Sequence, residues 1–230
     1  MDKLTDEQQK RMAEAGRAAM NMAHGIKNIA QSMRSGGEVM DTALEIGDLD
    51  IAKRTWPILR QSLGHIEKLS LDMLTFSADH PPDLQRCDLN RLVESVVQRL
   101  RPQASQRQVA LSAEPAEELP QVPMDAEQMT DVVMNLLINA IEAVDADTGK
   151  VTVRTEPDAA ANQVVLCLSD NGGGIENADK IFEPFYTTKS KLGAGLGLAI
   201  ARKIVENHAG TIEVQSAPGE ETVFTVRIPY

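Results

Sequence analysis

Apolar residues recur at helical spacing through the first third of the chain. Met12, Ala19, Ile26, Met33 and Met40 return every seven residues, and Ala15, Met22, Ile29 and Ala43, with Gly36 in the same register, fill the complementary position. Such an a/d seam predicts one long helix. Turn chemistry falls at Gly47-Asp48. A second helix then carries Leu59, Leu63, Ile66, Leu69, Met73 and Phe76 along one side, with Pro57 predicting a kink or a late start. One hairpin cannot bury two long seams, whereas a four-helix bundle built from two chains can, so residues 1–80 predict a homodimer. The pattern alone fits a coiled-coil spacer without chemistry equally well.

The pattern changes at His80-Pro-Pro-Asp83, where two prolines stop the helix and open a linker over 81–87. Beyond it, helical and alternating segments interleave. Asp88 is placed to cap a helix running to about residue 106, and Val109–Ala113 reads as a short strand. Asp125 with Gln128 resembles a capping box opening a helix to about Val144. Val151–Thr155, Val164–Ser169, Thr211–Val214 and Thr222–Ile228 read as strands, and Gly197–Asn207 as a helix. Residues 88–230 therefore predict an α/β sandwich, a mixed sheet of about five strands with three helices on one face, and the whole chain an α+β fold.

Composition narrows the possibilities. Hydrophobic residues make up 42% of the 230, enough for packed cores, but aromatics only 3%, so aliphatic residues and methionines must fill them. A net charge of −11 argues against binding nucleic acid or an anionic membrane. No apolar run approaches a membrane span and Met1–Lys10 is polar, so the expected location is the cytoplasm. Cys87 and Cys167 form neither a disulfide framework nor a metal spacing, and Cys167 lies within a predicted core strand.

Candidate chemistry lies in the last hundred or so residues. Asn135 and Asn139 share a face of their helix, backed by Val132, Val133, Leu136, Leu137 and Ile141; two neutral amides there suit a hydrated metal and phosphate oxygens, or are merely surface amides. Asp170 ends a buried strand beside Asn171-Gly-Gly-Gly174, where a carboxylate can accept from a purine amino group and glycine leaves room for the ring; a plain turn fits too. Gly193, Gly195 and Gly197 precede a helix whose first N–H groups suit phosphate, but match neither a dinucleotide fingerprint nor a Walker loop. Between the two clusters, Phe182-Glu-Pro-Phe185 followed by a polar stretch suits a mobile lid. Its Lys189 is placed to meet a γ-phosphate, or is a solvated lysine.

These four motifs, in this order, resemble the N, G1, F and G2 boxes of the sensor histidine kinases, within the GHKL ATP-binding superfamily. The resemblance covers essentially the whole chain. It implies an ATP-binding domain over 88–230 with a lid at about 183–194, and ATP and Mg²⁺ as cofactors. It assigns Asn139 to the metal, Asn135 to the phosphate side and Asp170 to adenine. Gly172, Gly174, Phe182, Phe185, Thr188, Lys189, Gly193, Gly195, Leu196, Gly197 and Leu198 complete the implied nucleotide contacts. In the hydrolytic branches of the superfamily a glutamate four residues before the metal-binding Asn activates water. Here that position is Asn135, which cannot act as a base, so the resemblance implies transfer to a protein group.

His24 takes heptad position f, pointing away from the predicted bundle core, with Lys27 and Asn28 on the same side. A histidine on a helix surface is usually just solvated. His24-Gly-Ile-Lys-Asn28, however, resembles the family H box, which implies phosphorylation of His24, catalytic parts for Asn28 and Lys189, and a response-regulator receiver domain as partner. Gly25 departs from the pattern, which usually carries Glu or Asp directly after the histidine. The alternative expectation is therefore an ATP-binding pseudokinase or a phosphatase-biased regulator centred on Asn28. A serine kinase of the anti-sigma type is disfavoured by the hairpin, and an ATP hydrolase by Asn135. His65 is the rival acceptor and reads as structural, while His80 and His208 receive no role.

Overall fold

Two runs of helix-forming sequence meet at a glycine. The computed structural model describes residues 6–77, 81–187 and 195–230, with side chains from Met20 onward except those of Asn21, Met22 and His24. The chain divides into two compact units, 1–78 with 183–196, and 79–182 with 197–230.

In the first unit α1 (Asp6–Glu45) and α2 (Leu49–Ser77) form the expected hairpin. Gly47 takes φ +72°, a region only glycine enters freely, and Asp48 Oδ1 accepts the N–H groups of Asp50 and Ile51 at 3.0 Å. That cap starts α2 well before Pro57, which lies inside the helix rather than at its start. Ile29, Gly36 and Ala43 are buried on α1, and Leu69 on α2. A methyl group at Gly36 would stand 2.8 Å from Leu59 Cδ2, so the glycine sets how closely the helices approach. Two buried positions escaped the apolar pattern. Thr55 and Ser62 face inward, their hydroxyls bonded to the Ile51 and Ile58 carbonyls at 2.9 and 3.0 Å, and Ser62 also reaches Ser32 at 3.3 Å.

The second unit is a sheet of order β2-β4-β5-β7-β6, comprising β2 (Ala110–Glu114), β4 (Lys150–Asp158), β5 (Gln163–Asp170), β6 (Thr211–Gln215) and β7 (Thr222–Pro229). Only β2 and β4 run parallel. Val151, Val153, Leu166, Leu168, Phe224, Val226 and Ile228 alternate onto one buried face. Three helices cover it: α3 (Leu89–Gln106), α4 (Ala126–Ala143) and α5 (Gly197–Asn207). The other face is wetter, with Arg154 paired to Glu114 and Arg227 to Glu213 across strands. Part of the expected linker is ordered as a strand. In a separate two-stranded sheet β1 (Gln85–Cys87) pairs antiparallel with β3 (Val122–Met124), directly before α4.

Candidate functional site

Asp125 caps α4, its Oδ1 accepting from the N–H groups of Glu127 and Gln128 at 3.0 Å. Burial pushes its carboxyl up, but bonds from the Gln128, Asp83 and Glu127 amides outweigh that and hold it below the ordinary aspartate value. The returning half of the predicted capping box is absent. Asp125 N–H donates to His208 Nε2 at 3.0 Å instead of to Gln128.

From this start α4 buries Met129, Val132, Val133, Leu136, Leu137, Ala140 and Ile141, leaving Asn135 and Asn139 half-buried on a shared face. α5 begins at Gly197, where a methyl group would stand 3.2 Å from Asn135 Oδ1. The amide of Asn135 thus lies at the N-terminal end of α5, where unpaired N–H groups and the helix dipole favour an anion. Leu198 follows on the same helix, half-buried.

At the end of β5, Asp170 is 3% exposed and accepts from Gly172 N–H at 3.0 Å. Burial raises its carboxyl above the ordinary value; the Gly172 bond opposes this and Glu221 adds to it. Glycine is required twice here. A methyl group at Gly172 would stand 2.8 Å from both the Ala143 carbonyl and Asp170 Oδ1, and one on Gly174, which takes φ +72°, would collide with the Ala217 carbonyl. Thr222 escaped sequence reasoning. It is 2% exposed, opposes Asp170 in the β5–β7 register, and bonds Ser216 Oγ at 2.8 Å. Only strand pairing brings it there, so no local signal marks it. Phe182 sets its ring edge-on to Phe224, centroids 6.3 Å apart, under the Arg202 guanidinium.

In the first unit Phe185 is buried at φ +65°, its N–H bonded to the Gly195 carbonyl at 2.8 Å. Gly195 takes φ +66°, and a methyl group there would stand 2.5 Å from the Phe185 carbonyl carbon. The two ends of the predicted lid are tied together at a neck that strains a non-glycine residue. Leu196 is buried beside it in sequence. Thr188, Lys189 and Gly193 lie outside the described residues. His24 belongs to α1, but its side chain is not described; Lys27 and Asn28 are exposed. Among the described residues nothing lies within 4 Å of a methyl group built on Gly25. The structure thus brings together Asn135 and Gly197, with Asn139 one turn further along α4, and separately Asp170, Gly172 and Thr222, with Gly174 against Ala217.

Neutral amides are weak ligands by themselves and suit a hydrated Mg²⁺ whose remaining partners are phosphate oxygens. The paired amides of Asn135 and Asn139 fit a metal that arrives with a nucleotide.

Residues 124–230 match the family model described as histidine kinase-, DNA gyrase B- and HSP90-like ATPase. The signal transduction histidine-protein kinase AtoS of Escherichia coli (strain K12) is 33% identical over 231 residues, which is 97% of this chain and 37% of that protein. Sensor histidine kinase ZraS of the same organism is 30% identical over 230 residues, 98% of this chain and 48% of that protein. The chain therefore spans less than half the length of these curated relatives. The solved catalytic domain of histidine kinase ThkA is 31% identical, with 64% of this chain and 95% of that chain covered and a TM-score of 0.57. The structure of ThkA in complex with response regulator protein TrrA is 26% identical, with 99% of this chain and 68% of that chain covered and a TM-score of 0.78.

Proposed function

Because the chain belongs to the sensor histidine kinase family, we propose that it transfers the γ-phosphoryl group of ATP to His24, and from there to an aspartate on a response-regulator receiver domain. The observation that carries this is the amide pair on α4. Asn135 and Asn139 share a face of α4, Asn135 lies at the start of α5, and the position four residues before Asn139 therefore holds an amide that cannot act as a base. Asp170 and Thr222, both buried at the far end of β5 and β7, supply an acceptor and a hydroxyl for a purine edge. Gly172 and Gly174 leave the backbone close enough for a flat ring.

In this reading a neutral imidazole nitrogen of His24 attacks the γ-phosphorus in line. The new N–P bond forms as the P–O bond to ADP breaks, and the imidazole N–H proton goes to solvent. Positioning and charge neutralisation do most of the work. Asn139 would help hold Mg²⁺, which when bound would supply positive charge at the phosphates. Lys189 adds a second positive charge from the lid. Asn28, exposed on α1, orients water when the receiver phosphate is removed. Two hairpins pair through apolar residues exposed in the single chain, among them Ile26, Ile58, Leu63 and Leu71, and form the bundle that presents His24. No described helix is long and apolar enough to cross a membrane, and we place the activity in the cytoplasm.

One observation favours a second reading, a regulator biased towards dephosphorylation. Gly25 stands where the family pattern carries an acid, and a methyl group there would meet nothing within 4 Å among the described residues. Incubation with γ-labelled ATP·Mg²⁺ separates the two. Acid-labile, alkali-stable label that vanishes in His24→Ala is expected of the autokinase. Bound nucleotide with no label on the protein would transfer the proposal to the second reading.

A further inference from the structure

His208 is buried, at 4% exposure, yet belongs to none of the motifs. It follows the last residue of α5. Its Nδ1 lies 2.7 Å from the Ile204 carbonyl. A carbonyl only accepts, so Nδ1 carries the proton and Nε2 is left with a lone pair. That lone pair accepts the Asp125 N–H at 3.0 Å, a contact between residues 83 apart in sequence. The amide it takes is the one at the mouth of α4.

The two helices run antiparallel as a result. One end of α5 is bonded to the start of α4, and the other end, at Gly197, abuts Asn135. Ten residues of helix separate Asp125 from Asn135 and eleven separate Gly197 from His208, about 15 and about 16.5 Å at about 1.5 Å per residue. The lengths agree to about one residue rise, so the bond at one end, together with the packed faces of α4 and α5, bears on the sliding register at the other. A helix is stiff along its axis. A slip at His208 is therefore passed along the helix towards the Gly197–Asn135 contact.

The geometry points to His208 as a positioning residue that sets the phosphate and metal end of the nucleotide site through Asp125, leaving the Asp170 end untouched. This rests on the reading of Asn135 and Asn139 given above.

The test uses the full chain and a non-hydrolysable ATP analogue, titrated calorimetrically with excess Mg²⁺ and with EDTA. The readout is the ratio of the two dissociation constants, the metal-dependent gain. A thermal melt of each variant without nucleotide tracks folding. His208→Gln keeps an acceptor at about the reach of Nε2. His208→Asn withdraws it by one carbon, and His208→Phe removes it while filling the space. Asn and Phe are expected to reduce the metal-dependent gain about tenfold with EDTA binding nearly unchanged, and Gln to hold the gain within about twofold. A parallel loss with and without Mg²⁺, or a Gln variant as impaired as Asn, overturns the inference, because a purely structural histidine behaves that way. Asn139→Ala distinguishes the layers. If it abolishes the gain while the His208 variants retain it, only the clasp is wrong; if it leaves the gain intact, the reading of the metal end falls with it.

Discussion

Replacing Asp170 with Asn should move stability and binding in opposite directions. The side chain is 3% exposed and its carboxyl is raised above the ordinary value, first by burial. A carboxyl raised in the fold gives stability that is complete at pH values below its unfolded pKa and is lost as pH rises through its folded pKa. Wherever that carboxyl is ionised, the fold holds a charge it would carry more comfortably as the neutral acid. An amide has the same shape, keeps an oxygen for the Gly172 N–H now at 3.0 Å, and has no charge to desolvate. Asp170→Asn should stabilise the nucleotide-free protein by about 1 kcal/mol at neutral pH, and flatten the decline between acid and neutral pH. Nucleotide binding should suffer. A hydrogen bond to a charged acceptor contributes about 1.5–3 kcal/mol, so losing it weakens ATP about ten- to a hundredfold. The amide also has the option of turning its donor towards the purine amino group. Urea denaturation across the acid-to-neutral range and calorimetric titration with an ATP analogue read the two effects independently. A variant that is less stable at neutral pH would refute the electrostatic argument. One that binds ATP as tightly as wild type would refute the assignment of Asp170 to adenine.

Gly25→Glu enters open space, so the phosphorylation rate at His24, read from phosphohistidine formed over time, should rise about tenfold or more if a neighbouring base is what the site lacks. The same substitution should raise the thermal midpoint of the hairpin, because glycine within a helix costs about 1 kcal/mol relative to good helix formers. Asp125→Ala removes the cap of α4 and the bond from Asp83 N–H at 3.1 Å, and denaturant titration at neutral pH should show a loss of about 1–2 kcal/mol. Its carboxyl lies below the ordinary value in the fold. The stabilisation is therefore present above the unfolded pKa and lost as pH falls through the folded one, and the difference between variant and wild type should close in acid.

Local chemistry made much of this fold legible. The caps at Asp88 and Asp125 place the starts of α3 and α4, and the heptad frame picks out Ile29 and Ala43, both buried. What escaped depends on partners far along the chain. β1 and β3 are three residues each, one polar and one interrupted by Pro123, too short and mixed to show a period. Thr55 and Ser62 read as polar, yet return their hydroxyls to their own helix and so bury without penalty. Pro57 sits inside a helix held on both sides of it by packing and a strong cap. In the site, local motifs mark Asn135, Asn139, Asp170 and the glycines beside them, whereas Thr222 and His208 take their places through strand register and a contact across the fold.

The bond from Asp83 to Asp125 joins the ordered end of the linker to the carboxylate that starts α4. Energetically this makes the joint run both ways. Suppose a pull on the linker lengthens that bond and lowers the affinity for ATP by some factor. Bound ATP must then oppose the pull by the same factor, because the two routes around the cycle end in the same state. On that supposition the linker is a gauge as well as a lever. The amide of Asp83 should exchange its hydrogen with solvent more slowly when nucleotide is bound, and the ratio of the two rates measures how strongly a mechanical signal entering at the prolines is felt at the phosphates.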